Sequence, residues 1–247
     1  MAPPVPPLTT ARPAGETAPS ASAFVAAGAA ASDAPVAASP PTVTVVDVPS
    51  EVAVEPCDRV LFAVASGSVR VLGETLAAGD VLDVEPTADK VKLESSGRVV
   101  VARIADPGHR CAVQKRKLEH QVVRANAAPK LEWASGTMRA RLDHSTGQVY
   151  VGRLEGTAAV AEHAHEGSWE ILVALEANGT FSLGGKEARL AARQVVVVPP
   201  GTKHAWKPDP GSKLVAVQLY SPPGPEQRFV ALAAAEKDAG ASAPVAK

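Results

Sequence analysis

From about residue 42 the chain is written in short apolar runs rich in valine: TVTVVDV, RVLFAVA, GDVLDVEP, RVVVARI, VYVGRL, WEILVALE, QVVVVPP and KLVAVQLY. Gly, Pro, Asp and Asn interrupt them every eight to twelve residues. β-Branched runs of this length, punctuated at this spacing, predict an all-β chain. Helical i, i+3, i+4 periodicity is convincing only in RKLEHQVVRANAA and FVALAAAEK. The first lies between two strand-rich halves and is expected to be a linker over 113–131 with one helical turn.

The halves resemble each other. LFAVASGSVRVLGETLAAGDVLDVEP aligns with VALEANGTFSLGGKEARLAARQVVVVPP: Gly67 falls on Gly179, Gly73 on Gly185, Leu76 on Leu190 and Val81 on Val195. The offset drifts from 112 to 114, and at 115 VVVARI falls on LVAVQL. A strand-turn-strand unit of about 60 residues that occurs twice predicts a duplicated β-barrel. The expected order is a tether over 1–42, a first barrel over 43–112, the linker, a second barrel over 132–235 and a flexible tail over 236–247.

Composition changes the picture mainly at the start. The first 41 residues are rich in Pro, Ala, Ser and Thr, too poor in large apolar side chains to offset the entropy of ordering, so they are expected to be disordered. They make a poor signal peptide, since the Ala-rich stretch comes late, follows Glu16 and lacks a basic start. Their composition is that of exported stalks, so an exported or periplasmic protein whose leader preceded Met1 is expected ahead of a cytoplasmic one. A net charge of −1 gives no reason to expect nucleic acid or an anionic membrane as partner. No run approaches the ~18 apolar residues of a membrane-spanning helix. Cys57 and Cys111 flank the first half; a disulfide and two buried thiols are both compatible with that spacing.

The candidate chemistry lies in the second half. GTAAVAEHAHEGSWEILVALEANG contains His163, His165 and Glu170, and VVVVPPGTKHAW contains His204. Residues two apart on a strand share a face, so His163 and His165 are expected to project into one barrel. Glu170 can return on the neighbouring strand, and a Pro-Pro-Gly-Thr turn delivers His204 on a third. Three imidazoles and a carboxylate suit a first-row divalent ion with open positions for water or substrate. His109, His120 and His144 have no such company and are expected at the surface. No G-x-S-x-G, glycine-rich phosphate loop or C-x-x-C occurs, so nucleophilic hydrolysis and nucleotide chemistry have no support.

These residues resemble the two motifs of the cupin superfamily. G-x5-H-x-H-x3-4-E-x6-G is matched at His163, His165 and Glu170, with Gly156 one residue early and Gly179 two late. G-x5-P-x-G-x2-H-x3-N is matched at Pro199, Gly201 and His204, with Arg193 at the leading glycine and Pro208 at the asparagine. The resemblance implies two jelly-roll β-barrels, and one Fe, Mn, Ni, Cu or Zn ion held by His163, His165, Glu170 and His204. It also implies a small-molecule partner, with monomer or homodimer both compatible. Of the uses it implies, a metal-dependent oxidoreductase of dioxygenase type ranks first; a non-catalytic binding protein, a sugar isomerase or epimerase, and a lyase are the alternatives.

Shifting the ligand positions into the first half gives Glu51, Ala53, Asp58 and Lys90, no imidazole among them, so that barrel is expected to be metal-free. Trp206, by strand parity with His204, and Gln218 and Tyr220, alternating on KLVAVQLY, are candidates to line the cavity. Trp169, of opposite parity to Glu170, is expected to pack between sheets.

Overall fold

A computed structural model describes residues 23–25, 40–85, 89–105, 119–127, 130–133, 138–145 and 148–241. The strands are β1 (Ala23–Val25), β2 (Thr42–Val54), β3 (Asp58–Val71), β4 (Glu74–Ala77), β5 (Val81–Val84), β6 (Asp89–Ala105), β7 (His120–Val123), β8 (Lys130–Trp133) and β9 (Met138–Ser145). They continue with β10 (Tyr150–Gly156), β11 (Val160–His163), β12 (Trp169–Glu176), β13 (Asn178–Leu183), β14 (Lys186–Ala191), β15 (Val195–Val198), β16 (His204–Pro208) and β17 (Leu214–Ser221). One helix, α1 (Gln227–Ala241), follows. The all-β expectation holds.

The first half forms one sheet, β2-β6-β3-β5-β7, with β4 on β3. The second half forms two: β1-β15-β12-β17-β10-β9-β8, and β11-β16-β13-β14. The duplication is legible in the pairings. β3 pairs β4, β5 and β6, whereas in the second half β12 pairs β15 and β17 while β13 pairs β14 and β16. Each long strand of the first half is thus two shorter ones in the second.

Burial on both faces explains the near-continuous apolar runs. On β12, Leu172 and Ala174 point into the second barrel beside Tyr150, Phe181 and Trp206. Ile171 and Val173 point the other way and join Leu61, Ala63, Val100 and Ala102 of the first half in a shared core. Trp169 packs against that shared core, as expected. The interior of the first unit is closed by Val52, Val60, Phe62, Val91, Leu93 and Val101.

Several expectations are corrected. The segment read as a linker with a helical turn contains β7, which pairs with β5 from Val81↔Val123 to Val84↔His120; the unpaired edge of a sheet outweighs local helical periodicity. Within the tether, Ala23–Val25 forms a strand pairing in parallel with Val195–Val197; the rest of 1–39 lies outside the described residues. The tail does not begin at 236, because α1 runs to Ala241. The shift by 114 that sets Lys90 on His204 is also wrong. Val71 pairs with Leu93, and 112 residues later Leu183 pairs with His204, so Leu93 is the counterpart. Lys90 instead forms a 2.9 Å ion pair with Glu51 on the outer surface. Cys57 is disulfide-bonded; Cys111, the other cysteine of the sequence, lies outside the described residues, as does His109. His120 is exposed, as expected.

Candidate metal centre

Register brings the candidate donors together from three places. His163, the last residue of β11, pairs with His204, the first of β16. Glu170 lies on β12 opposite Tyr220 and Val198, on the same inward face as Leu172. His165 is not on the strand with His163, as alternation had predicted; β11 ends at His163, and His165 sits in the turn beyond. Its carbonyl accepts a 2.9 Å hydrogen bond from the Gly201 amide, which ties that turn to the Pro-Pro-Gly-Thr turn before His204. Gly201 has φ 69°, a left-handed conformation that glycine adopts without steric cost. Arg193, where the motif has glycine, keeps the turn at φ 69°, and its amide bonds the Ala174 carbonyl at 2.7 Å. Arg193 therefore holds the left-handed conformation that glycine adopts without steric cost.

The ligand atoms of His163, His165 and His204 all lie within 4.8 Å of one another. Glu170 Oε2 is 3.2 Å from His165 Nε2 and 3.0 Å from His204 Nε2. Donors bound cis to one ion at about 2.1 Å are separated by about 3.0 Å, so these distances suit a common centre. All three atoms are buried, and none has a hydrogen-bond partner of acceptable geometry. Such orphaned buried groups are rare; these face one point in space rather than one another.

Their neighbours fix that orientation. The Thr202 carbonyl lies 3.0 Å from His204 Nδ1, and the Ala161 carbonyl 2.8 Å from His163 Nδ1. A carbonyl only accepts, so each neutral ring carries its proton on Nδ1 and turns an Nε2 lone pair inward. Gln218 Nε2 donates to Glu170 Oε1 at 2.9 Å, leaving Oε2 free. Replacing Gln218 by leucine is expected to lower metal affinity about 10–100-fold, as loss of an outer-shell partner does; competition with a chromophoric chelator measures it, and an unchanged affinity would refute the role.

Electrostatics favours a neutral His163 and a protonated His204 beside an ionised Glu170. Burial, then the Arg228 charge, pulls His163 down to about 4, so it is neutral at pH 7. Burial alone would raise Glu170, but the adjoining His165 and His204 hold it well below the usual carboxylate range. Burial works against charge on His204 too, yet Glu170 keeps its pKa above the ordinary imidazole value. In the metal-free protein the His204–Glu170 pair therefore stabilises the fold fully between the ordinary values of 4.5 and 6.5. That contribution fades as pH rises through the His204 value or falls through that of Glu170. A metal must displace the His204 proton, so metal affinity is expected to rise with pH until His204 is deprotonated, then level off. Calorimetric titration at pH 6 in buffers of different ionisation enthalpy should show proton release; none at any pH would contradict it.

The cavity is lined by His163, Glu170, His204, Trp206, Gln218 and Arg228, among others. Trp206 and Gln218, the candidates read from strand alternation, are among these lining residues. Tyr220 instead packs edge-on against His165, ring centroids 5.3 Å apart, and is fully buried. Two lining residues had no sequence signal: Phe181, stacked 6.2 Å from the His204 ring, and Arg228, from the helix after the barrel. The space open to the centre of a water-sized sphere is about 20 Å³, where one water needs roughly 10–15 Å³. A bound ligand is therefore small unless the cavity widens.

Residues 150–217 match the family described as the Cupin domain. No curated protein matches the chain. Among solved structures, a protein of unknown function from Pseudomonas syringae pv. tomato, of the DUF861 family, shares 14% identity at TM-score 0.54, over 73% of this chain and 81% of that one. An IolB-like protein from Salmonella typhimurium shares 11% at TM-score 0.53, over 75% and 84%. Oxalate decarboxylase from Lactobacillus farciminis, in a formate complex, shares 10% at TM-score 0.51, over 74% and 77%. At such identities the likeness is one of fold.

Proposed function

From the premise that this chain has the duplicated cupin fold, with a cupin domain over residues 150–217, we propose that it holds one divalent transition-metal ion through His163, His165, Glu170 and His204. In this reading it is a metal-dependent small-molecule enzyme, an oxidoreductase of dioxygenase type. The observation that supports the reading is the convergence of two imidazole nitrogens and a carboxylate oxygen, all buried and without hydrogen bonds, with His163 completing the triad. Such an ion supplies Lewis acidity or redox capacity at its open positions. The chain's own residues do the rest: Thr202, Ala161 and Gln218 orient the donors, and Leu154, Leu172, Phe181 and Leu214 exclude water from the cavity. No described residue of the first barrel contributes a donor, and in this reading that barrel serves to cover the apolar back of the second.

The second reading is a metal-dependent binding module without turnover, favoured by the small cavity. Elemental analysis of protein purified without added metal, followed by a screen of small substrates under oxygen and under argon, separates the two. About one ion per chain with oxygen-dependent turnover supports the oxidoreductase. Turnover equal under both gases favours isomerase or lyase chemistry, stoichiometric metal without turnover favours the binding module, and protein that takes up no metal overturns both readings.

A further inference from the structure

One charged group in the cavity has no counterpart in the ligand set. Arg228, the second residue of α1, lines the cavity with His163, Glu170, His204 and Gln218. Its Nε is buried and has no hydrogen-bond partner, and it makes no ion pair with any described residue. Its guanidinium carbon lies 5.2 Å from the ring centroid of its own neighbour Phe229. An arginine held over an apolar ring, with a buried and idle donor, is poorly satisfied by the protein alone.

Charge balance makes the point sharper. Among the described residues, Glu170 is the one carboxylate lining this cavity. A divalent ion and Arg228 together exceed it by two positive charges, in surroundings where desolvation strengthens the imbalance. We propose that Arg228 is the receptor for a small carboxylate ligand. The planar fork of the guanidinium receives the carboxylate, and the ligand's remaining atoms face the metal. The inference rests on the metal reading above and adds the ligand class: a small anion rather than a neutral sugar. The narrow cavity, about 20 Å³ of it open to the centre of a water-sized sphere, limits that anion to a few heavy atoms.

Acetate and acetamide test this, being planar and of equal heavy-atom count but different charge. The full chain, labelled with ¹⁵N, is titrated with each in metal-free and zinc-loaded forms, following the Trp206 indole and Arg228 Nε–H resonances. In both forms acetate is expected to bind at least tenfold tighter than acetamide. Arg228→Gln should erase that preference, with zinc uptake unchanged or tighter because a repelling charge has gone. Arg228→Lys, which keeps the charge and loses the fork, should retain a preference at lower affinity and shows that the site still folds. Equal binding of the two probes, no acetate-dependent shift, or a preference surviving in Arg228→Gln would overturn the proposal. Failure to take up zinc would sink the metal reading alone, since the metal-free titration still reports on Arg228.

Discussion

Replacing His204 by alanine is expected to leave the protein with only a small fraction of its bound metal. Losing an outer-shell partner typically costs 10–100-fold in affinity; loss of a donor should exceed the upper end of that range. His204 is 3% exposed and Glu170 2%, so water cannot easily replace the missing nitrogen at its angle. His163→Ala should behave alike, because its Nε2 is turned inward by the Ala161 carbonyl. His120→Ala, at an exposed position of β7, is the control and should keep all its metal. Elemental analysis after dialysis reads each variant. Stoichiometric metal in both His163→Ala and His204→Ala would remove these residues from the ligand set.

Removing the first 128 residues should turn the second barrel into an aggregating fragment. Val149, Val151, Ile171, Val173, Val195, Val197, Val217 and Leu219 form its side of the shared core, none of them more than 4% exposed. Full burial of such a side chain contributes about 1.5–3 kcal/mol. Uncovering eight therefore costs roughly 10 kcal/mol or more, comparable to the 5–15 kcal/mol that stabilises a typical domain. The cut belongs after β7, because that strand completes the first sheet through β5. Light scattering and thermal unfolding of the fragment provide the measurement; a monodisperse fragment as stable as the whole chain would disprove the covering role. Removing only residues 1–22 leaves Ala23–Val25 on β15 and should change neither quantity.

What the sequence revealed, and what it hid, follows from how local each signal is. The donors could be read because His163, His165 and Glu170 lie within eight residues and His204 follows a recognisable turn. Gln218 could be read as cavity-facing because alternation along one strand is a rigid rule. Its bond to Glu170, 48 positions away, depended on the pairing of β12 with β17, which alternation does not specify. His165 shows the limit of alternation itself: the rule ends where the ladder ends, at His163. Lys90 was set on His204 because the offset of 114, read from the strands before it, does not absorb the irregularities that accumulate between paired strands. The register shifts between Val48 and Ser50 and between Val64 and Ser66 mark two of them. Arg228 had no signal, since it lies on a helix outside the motifs and enters the cavity only through tertiary packing.

The uninterrupted strands of the first unit also bear on how the two halves diverged. β2, β3 and β6 run for 13, 14 and 17 residues, whereas their counterparts in the second half are cut into shorter pieces. His165 stands just past the shortened end of β11 and His204 at the shortened start of β16, where β2 and β6 of the first unit continue as strand. Grafting imidazoles onto the first unit at matching positions would place them on a continuous ladder, with Leu93 and Val91 already filling the interior. Regaining a metal there would need turns to be inserted as well as side chains exchanged. Divergence of the halves thus acts as a ratchet: a few substitutions suffice to abandon a metal, but once the strands have fused and the interior has filled, point substitution alone offers no return.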